Sequence, residues 1–131
     1  MRGTVLLLAG QDWSAVYAEQ LRESGLMVYQ LPRPEDALRQ VDAIGPDVVV
    51  AVCSGGSDPA VIRELRGRVD HATSIIAILA TSREDRDPAF GAGADSVLPM
   101  PAPPGEVLYE VQRALILRRS GRRLPRNREQ V

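Results

Sequence analysis

The chain has no lysine, since all 16 of its basic residues are arginines, and it has only one cysteine and one histidine. A single cysteine excludes an internal disulfide, and the apolar run around Cys53 favours a buried structural thiol over a catalytic one. A lone histidine cannot build a metal site without companions, so we expect His71 to be a surface loop residue. The lack of lysine also excludes a phosphate-binding loop of the Walker type.

Long hydrophobic runs are missing as well. No apolar stretch approaches the roughly 20 residues that span a membrane, and the apolar run near the N-terminus is too short for a signal peptide. We therefore expect a cytoplasmic protein without membrane contacts. The composition that remains, 44% hydrophobic and 25% charged residues over 131 positions, is typical of a globular chain of one domain.

Short apolar runs alternate with amphipathic segments along the chain. The pattern predicts strands at residues 4–9, 26–30, 47–53, 74–79 and 95–98, and helices at residues 13–24, 34–44, 59–68, 84–92 and 105–119. The third and fourth strands are apolar on both faces, as central parallel strands are. Strands that alternate with helices predict an α/β fold, a parallel sheet with helices on both faces.

Residues at the predicted helix ends support these limits. Asp12 and Asp58 stand where each could cap the first turn of a helix, and Gly25 can take the positive φ that ends one. Pro88 lies inside the fourth helix pattern and is expected to break or shorten that helix, because proline lacks the amide donor.

One stretch carries a more specific signal. Residues 91–101 read Gly-Ala-Gly-Ala-Asp-Ser-Val-Leu-Pro-Met-Pro, and residues 46–50 read Pro-Asp-Val-Val-Val. In this order the two pieces resemble the receiver domain of bacterial response regulators, the CheY-like family, over about residues 4–119. The resemblance implies a doubly wound, flavodoxin-like sheet of five parallel strands in the order 2-1-3-4-5. Residues 1–119 would form this domain, and residues 120–131 a basic, flexible tail.

The functional positions of the family fall on residues that cannot perform its chemistry. The acidic pair that holds magnesium falls on Ala9 and Gly10, the phosphorylated aspartate on Val52, and the lysine that pairs with the phosphoryl group on Met100. The remaining switch positions fall on Leu79 or Ala80, with Thr81 close enough to take that place, and on Val97. The resemblance therefore implies a degenerate pseudo-receiver without phosphorylation, magnesium, cofactor or enzymatic activity.

Such a domain would act through its surfaces. Receivers commonly dimerise or bind partners through the face of helix 4, strand 5 and helix 5, and on this face Met100, Tyr109 and Ile116 are candidates for an exposed apolar patch. A second possibility is nucleic-acid binding by the tail, through Arg118, Arg119, Arg122, Arg123, Arg126 and Arg128. A third is a small apolar ligand in an emptied pocket between Gly10, Val52 and Met100.

Overall fold

The computed structural model describes residues 2–53, 58–79 and 86–126, with the backbone alone for residues 11–13 and 58. Five strands alternate with five helices in these ranges. The strands are β1 (Thr4–Leu8), β2 (Met27–Leu31), β3 (Val48–Cys53), β4 (Ser74–Leu79) and β5 (Ser96–Pro99). The helices are α1 (Gln11–Glu23), α2 (Pro34–Ile44), α3 (Asp58–Arg68), α4 (Arg86–Ala92) and α5 (Pro104–Arg118).

The strands form one sheet in the order β2-β1-β3-β4-β5, and every neighbouring pair is parallel. This is the α/β fold with the strand order that the sequence predicted. β1 and β3 are neighbours although β2 lies between them in sequence, so the order of the strands reverses at that point. Ligands of such sheets bind outside the carboxyl ends of the strands, near this reversal.

Alternation along the strands divides the core into two layers. In β3, Val48 and Val50 pack toward α1 and α5, while Val49, Ala51 and Cys53 pack toward α2, α3 and α4. Both layers are apolar because both faces of the central strands are covered by helices. The two runs predicted to be central, β3 and β4, therefore occupy the middle of the sheet.

The ends of the elements follow the predictions to within two residues wherever the chain is described. Gly25 has a φ of 88° after α1, as its place at the helix end predicted. Pro88 is the third residue of the short helix α4, where its missing amide donor falls in the first turn and breaks no hydrogen bond of the helix.

The predicted cap of α1 was wrong. The helix begins at Gln11, with Gly10 as the N-cap in an extended conformation, and the amide of Ser14 donates to the Gly10 carbonyl at 3.0 Å. Asp12 therefore lies inside the first turn and cannot be the N-cap. The role of Asp58 as a cap stays a prediction, since its side chain lies outside the described part of the structure.

Cys53 is buried in the core, and His71 is an exposed turn residue, as predicted. Within the described residues, no helix is both long and apolar enough to cross a membrane.

Candidate functional site

The candidate site lies where β1, β3, β4 and β5 end, which we call the carboxyl edge of the sheet. Ala9 and Gly10 directly follow β1, Val52 is the second-last residue of β3, and Met100 directly follows β5. The amide of Met100 donates to the carbonyl of Leu79, the last residue of β4, at 2.8 Å. The fold thus brings to one edge the residues that the sequence singled out.

The described side chains at the positions that the sequence singled out are apolar, although the guanidinium of Arg86, at the start of α4, donates to the carbonyl of Val97 at 3.4 Å. Ala9 and Val97 are each 1% exposed, and Leu79 is also buried. Val52 and Met100 are half-buried against the core layer beneath α1 and α5. Hydrocarbon and thioether groups neither accept a phosphoryl group nor provide the hard oxygen ligands that magnesium prefers.

Other groups that the sequence placed near this edge lie outside what the structure describes. These are Ala80 and Thr81, and the side chain of Asp12. Across the described ranges, no cluster of three or more His, Cys, Asp or Glu side chains is suitable for holding a metal ion.

A small cavity opens at the carboxyl edge beside the reversal of strand order. Its volume is about 150 Å³, and its lining includes Ala9, Gly10, Val52, Cys53 and Ile62. Met100 is not among the residues that line this cavity, and the predicted pocket between Gly10, Val52 and Met100 stays a prediction. Cys53 and Ile62 belong to the layer beneath α2, α3 and α4, whereas Val52 and Met100 pack on the opposite layer.

The predicted interaction surface is divided between core and solvent. Tyr109 and Ile116 are 59% and 61% exposed, and they lie two turns apart on the same side of α5. The guanidinium of Arg113 lies 5.8 Å from the ring centroid of Tyr109, between the two. Met100 is half-buried, so the exposed large apolar side chains of this surface are Tyr109 and Ile116.

The arginines of the tail also divide into two groups. Arg119, Arg122 and Arg126 are exposed. Arg118 and Arg123 instead form ion pairs with the body of the domain. Arg128 lies outside the described residues. The end of the domain at residue 119 stays a prediction. Residues 120–122 are exposed, whereas Arg123 and Leu124 contact the body of the domain.

Opposite the carboxyl edge, the strands begin at a polar edge, which we call the amino edge. There Asp47 accepts hydrogen bonds from the amide of Thr4 at 2.9 Å and from Nε of Arg118 at 2.8 Å. Asp95 accepts from Nη2 of Arg66 at 2.5 Å and pairs with Nε of Arg123 at 2.9 Å. Two carboxylates thus bind three guanidinium groups at the start of the sheet.

Burial is the largest influence on the pKa values of Asp95 and of its partner Arg66. It raises the pKa of the Asp95 carboxyl, while the amide of Ile75 and the guanidinium groups of Arg66 and Arg123 act in the opposite direction. Burial also lowers the pKa of the Arg66 guanidinium, against the attraction of Asp95. At the surface nearby, the pKa of Asp70 is lowered, first by the hydrogen bond from the Ala72 amide.

Sequence reasoning missed this network. A signal was present, because Asp47 and Asp95 are each the first residue of a predicted strand, and the amino ends of parallel strands meet at one edge. What spacing alone could not indicate was that the chain returns after α5 and brings Arg123 to Asp95.

No protein-family model matches the chain, and no curated protein matches it. Solved structures do. A candidate response regulator from Chloroflexus aurantiacus is 25% identical, with a TM-score of 0.74 over 88% of this chain and 99% of that one. A CheY-like receiver domain from Methanospirillum hungatei is 13% identical, with a TM-score of 0.83 over 92% and 99% of the two chains. A beryllofluoride-activated receiver domain of DrrB is 23% identical, with a TM-score of 0.77 over 88% and 99%.

The chain therefore has the fold of CheY-like receiver domains, as the resemblance implied. This fold supports a signalling module of the response-regulator kind.

Proposed function

We propose that this chain is a pseudo-receiver, a regulatory module that signals through protein contacts without being phosphorylated, binding magnesium or catalysing a reaction. The observation that carries the proposal is the composition of the carboxyl edge. Ala9, Gly10, Val52 and Met100 come together there, at the positions where the resemblance implies the metal ligands, the acceptor and the cation.

The chemistry of these residues supports the proposal step by step. Val52 has no oxygen to attack a phosphorus atom, and Ala9 and Gly10 have no side-chain ligand for magnesium. Met100 has no charge to pair with a phosphoryl group, and the whole chain lacks a lysine that could replace it.

Magnesium and beryllofluoride provide the test. We expect the backbone amide resonances and the melting temperature of the protein to stay unchanged when both are added, because the side chains of Ala9, Val52 and Met100 offer no ligand for either. The DrrB receiver, a beryllofluoride-activated domain, is the positive control. Saturable shifts of the amides after β1 and in β3 would contradict the proposal.

A reconstructed variant adds a control within the same scaffold. Gly10→Asp, Val52→Asp and Met100→Lys together restore one metal ligand, the acceptor and the cation. We expect this variant to melt at a lower temperature than the parent, since the charges face an apolar core, and to be stabilised by magnesium with beryllofluoride. A parent that responds as strongly as the variant would exclude the proposed role of these positions.

The protein contacts are assigned to the face of α4, β5 and α5, with a partner protein or a second copy as the occupant. Tyr109 and Ile116 support this choice, because they are two large apolar side chains exposed on one side of α5. Isolated exposed apolar residues are common, but a pair on one helix face is typical of contact surfaces.

Nucleic-acid association is a second candidate function, and the exposure of Arg119, Arg122 and Arg126 favours it. Its test is the triple alanine variant rather than removal of the tail, because Arg118 and Arg123 also hold the fold together. If the three side chains contact phosphates, the slope of log K against log salt should become shallower by about 3 for duplex DNA. Equal binding of parent and variant at all salt concentrations would exclude this function.

A further inference from the structure

The chain turns back sharply at the end of α5. Gly121 has a φ of 70°, its amide donates to the Arg118 carbonyl at 2.9 Å, and the amide of Arg122 donates to the Leu117 carbonyl at 3.0 Å. This pair of hydrogen bonds around a left-handed glycine is the Schellman motif. It reverses the backbone, so that the residues after Gly121 run back to the amino edge of the sheet.

Three contacts hold the returning segment there. Nε of Arg123 lies 2.9 Å from Oδ1 of Asp95, and the amide of Leu124 donates to Oγ of Ser74 at 2.8 Å. The Leu124 side chain is 4% exposed and belongs to the core layer beneath α1 and α5. An ion pair, a hydrogen bond and apolar burial therefore hold Arg123 and Leu124 at the amino edge.

Arg118 fastens the end of α5 to the same edge. Its Nε donates to Asp47 at 2.8 Å, and its Nη1 donates to Oγ1 of Thr73 at 3.2 Å. Thr73 in turn donates to the carbonyl of Pro46 at 3.0 Å. The segment thereby bridges the starts of β3, β4 and β5.

We propose that residues 118–124 are a latch, a segment that is either docked on the amino edge or released from it. When the latch is docked, the backbone at the start of β4 and β5 is more protected than when it is released. In the docked state Asp95, buried at the start of β5, shares its carboxylate between Arg66, Arg123 and the amide of Ile75. Release removes one of its two guanidinium partners and exposes the apolar side chain of Leu124. A partner that binds Arg123 must first release the latch, so binding there and opening of the edge favour each other reciprocally.

Amide hydrogen exchange of the full chain tests the latch, with Arg123→Ala as the variant and Arg122→Ala as the matched control. Arg122 is the neighbouring residue and is exposed. In Arg123→Ala we expect the amides of Leu124 and Ile75 to exchange faster by about tenfold, the effect of losing one charge-assisted contact. In Arg122→Ala both amides should exchange at the parent rate.

Two results would overturn the proposal. Equal exchange in the two variants would mean that Arg123 does not hold the segment. Faster exchange at Leu124 with no change at Ile75 would mean that the segment docks without coupling to the sheet. Should Arg123→Ala fail to fold, Leu124→Ala removes a different contact of the latch and is expected to accelerate exchange at the same two amides.

Discussion

At the scale of single residues, Asp95 is a buried carboxylate with several charged and polar partners. It is 2% exposed and has two guanidinium partners as well as the amide of Ile75. A buried carboxylate of this kind depends on every partner, since the loss of one leaves charge without compensation.

Removing Arg66 tests this dependence. Arg66 also donates to the carbonyls of Thr73 at 2.8 Å and Gly93 at 3.1 Å, so Arg66→Ala leaves three acceptors with fewer donors. We expect the free energy of unfolding near pH 7 to fall by about 3 kcal/mol, measured by urea denaturation. Arg63→Ala, an exposed arginine of the same helix, should stay within about 0.5 kcal/mol of the parent.

The cost of Arg66→Ala should depend on pH in a defined direction. The pKa of Asp95 in the folded protein lies above its ordinary value of 3.8, so the stability linked to this group is complete below that value and is lost as the pH rises through the folded-state pKa. Arg66 favours the charged carboxylate, and its removal raises the pKa of Asp95 further. We therefore expect a larger loss at pH 7 than at pH 4, and an equal or larger loss at pH 4 would contradict this description.

At the scale of elements, two glycines at the end of α4 have opposite requirements. Gly91 lies within the helix, and a Cβ there would meet nothing within 4 Å. Gly93 has a φ of 122°, and a Cβ there would lie 2.8 Å from Cγ of Arg66. The Gly-Ala-Gly motif therefore contains one replaceable glycine and one that the fold requires.

Alanine substitutions at these two positions should change the stability of the protein in opposite directions. Gly91→Ala is expected to stabilise the protein by up to about 1 kcal/mol through helix propensity. Gly93→Ala should destabilise it by about 2 kcal/mol or more, because a strained φ adds to the contact with Arg66. Thermal melting of both variants decides this, and destabilisation by Gly91→Ala would show that α4 is constrained in another way.

The exposed surface of α5 gives a second prediction for an element. Ile116→Glu should weaken self-association or partner binding at least tenfold, as charge does at the centre of an apolar contact, with the melting temperature nearly unchanged. Met27→Glu is the matched control, since Met27 is 59% exposed on β2 at the opposite edge of the sheet. Sedimentation velocity or titration with a captured partner measures both, and equal effects would rule out α5 as the contact surface.

The elements themselves could be predicted from the sequence because the apolar pattern of each is local. The runs at β3 and β4 are apolar on both faces, which predicts central strands, and Gly25 predicts a helix end. The start of α1 could not be read in this way, since Gly10 and Asp12 are both acceptable N-caps and the choice depends on where the chain leaves β1. The packing of Leu124 was also missed, because it depends on a contact with Ser74, 50 residues away.

At the scale of the whole molecule, the two ends of the sheet differ in polarity. The amino edge carries the buried ion pair of Asp95 and the part-buried one of Asp47, whereas the side chains at the singled-out positions of the carboxyl edge, including Val52 and Met100, are apolar. Charged groups therefore stabilise the end of the sheet where ligands do not usually bind. At the carboxyl edge, where ligands of such sheets do bind, Val52 and Met100 present apolar side chains.

This distribution is the reason why we expect one substitution to be insufficient to restore phosphorylation. In Met100→Lys the cation returns, but Val52 still offers no acceptor and Ala9 and Gly10 still offer no metal ligand. The lysine should therefore have no phosphoryl group to pair with.

The most direct measurement is the intact mass of the protein after incubation with acetyl phosphate and magnesium, for the parent and for Met100→Lys. We expect both to keep their unmodified mass, whereas a receiver with a complete site gains one phosphoryl group under the same conditions. A phosphorylated parent, or a phosphorylated Met100→Lys variant, would contradict the central claim that this fold is used here without phosphoryl chemistry.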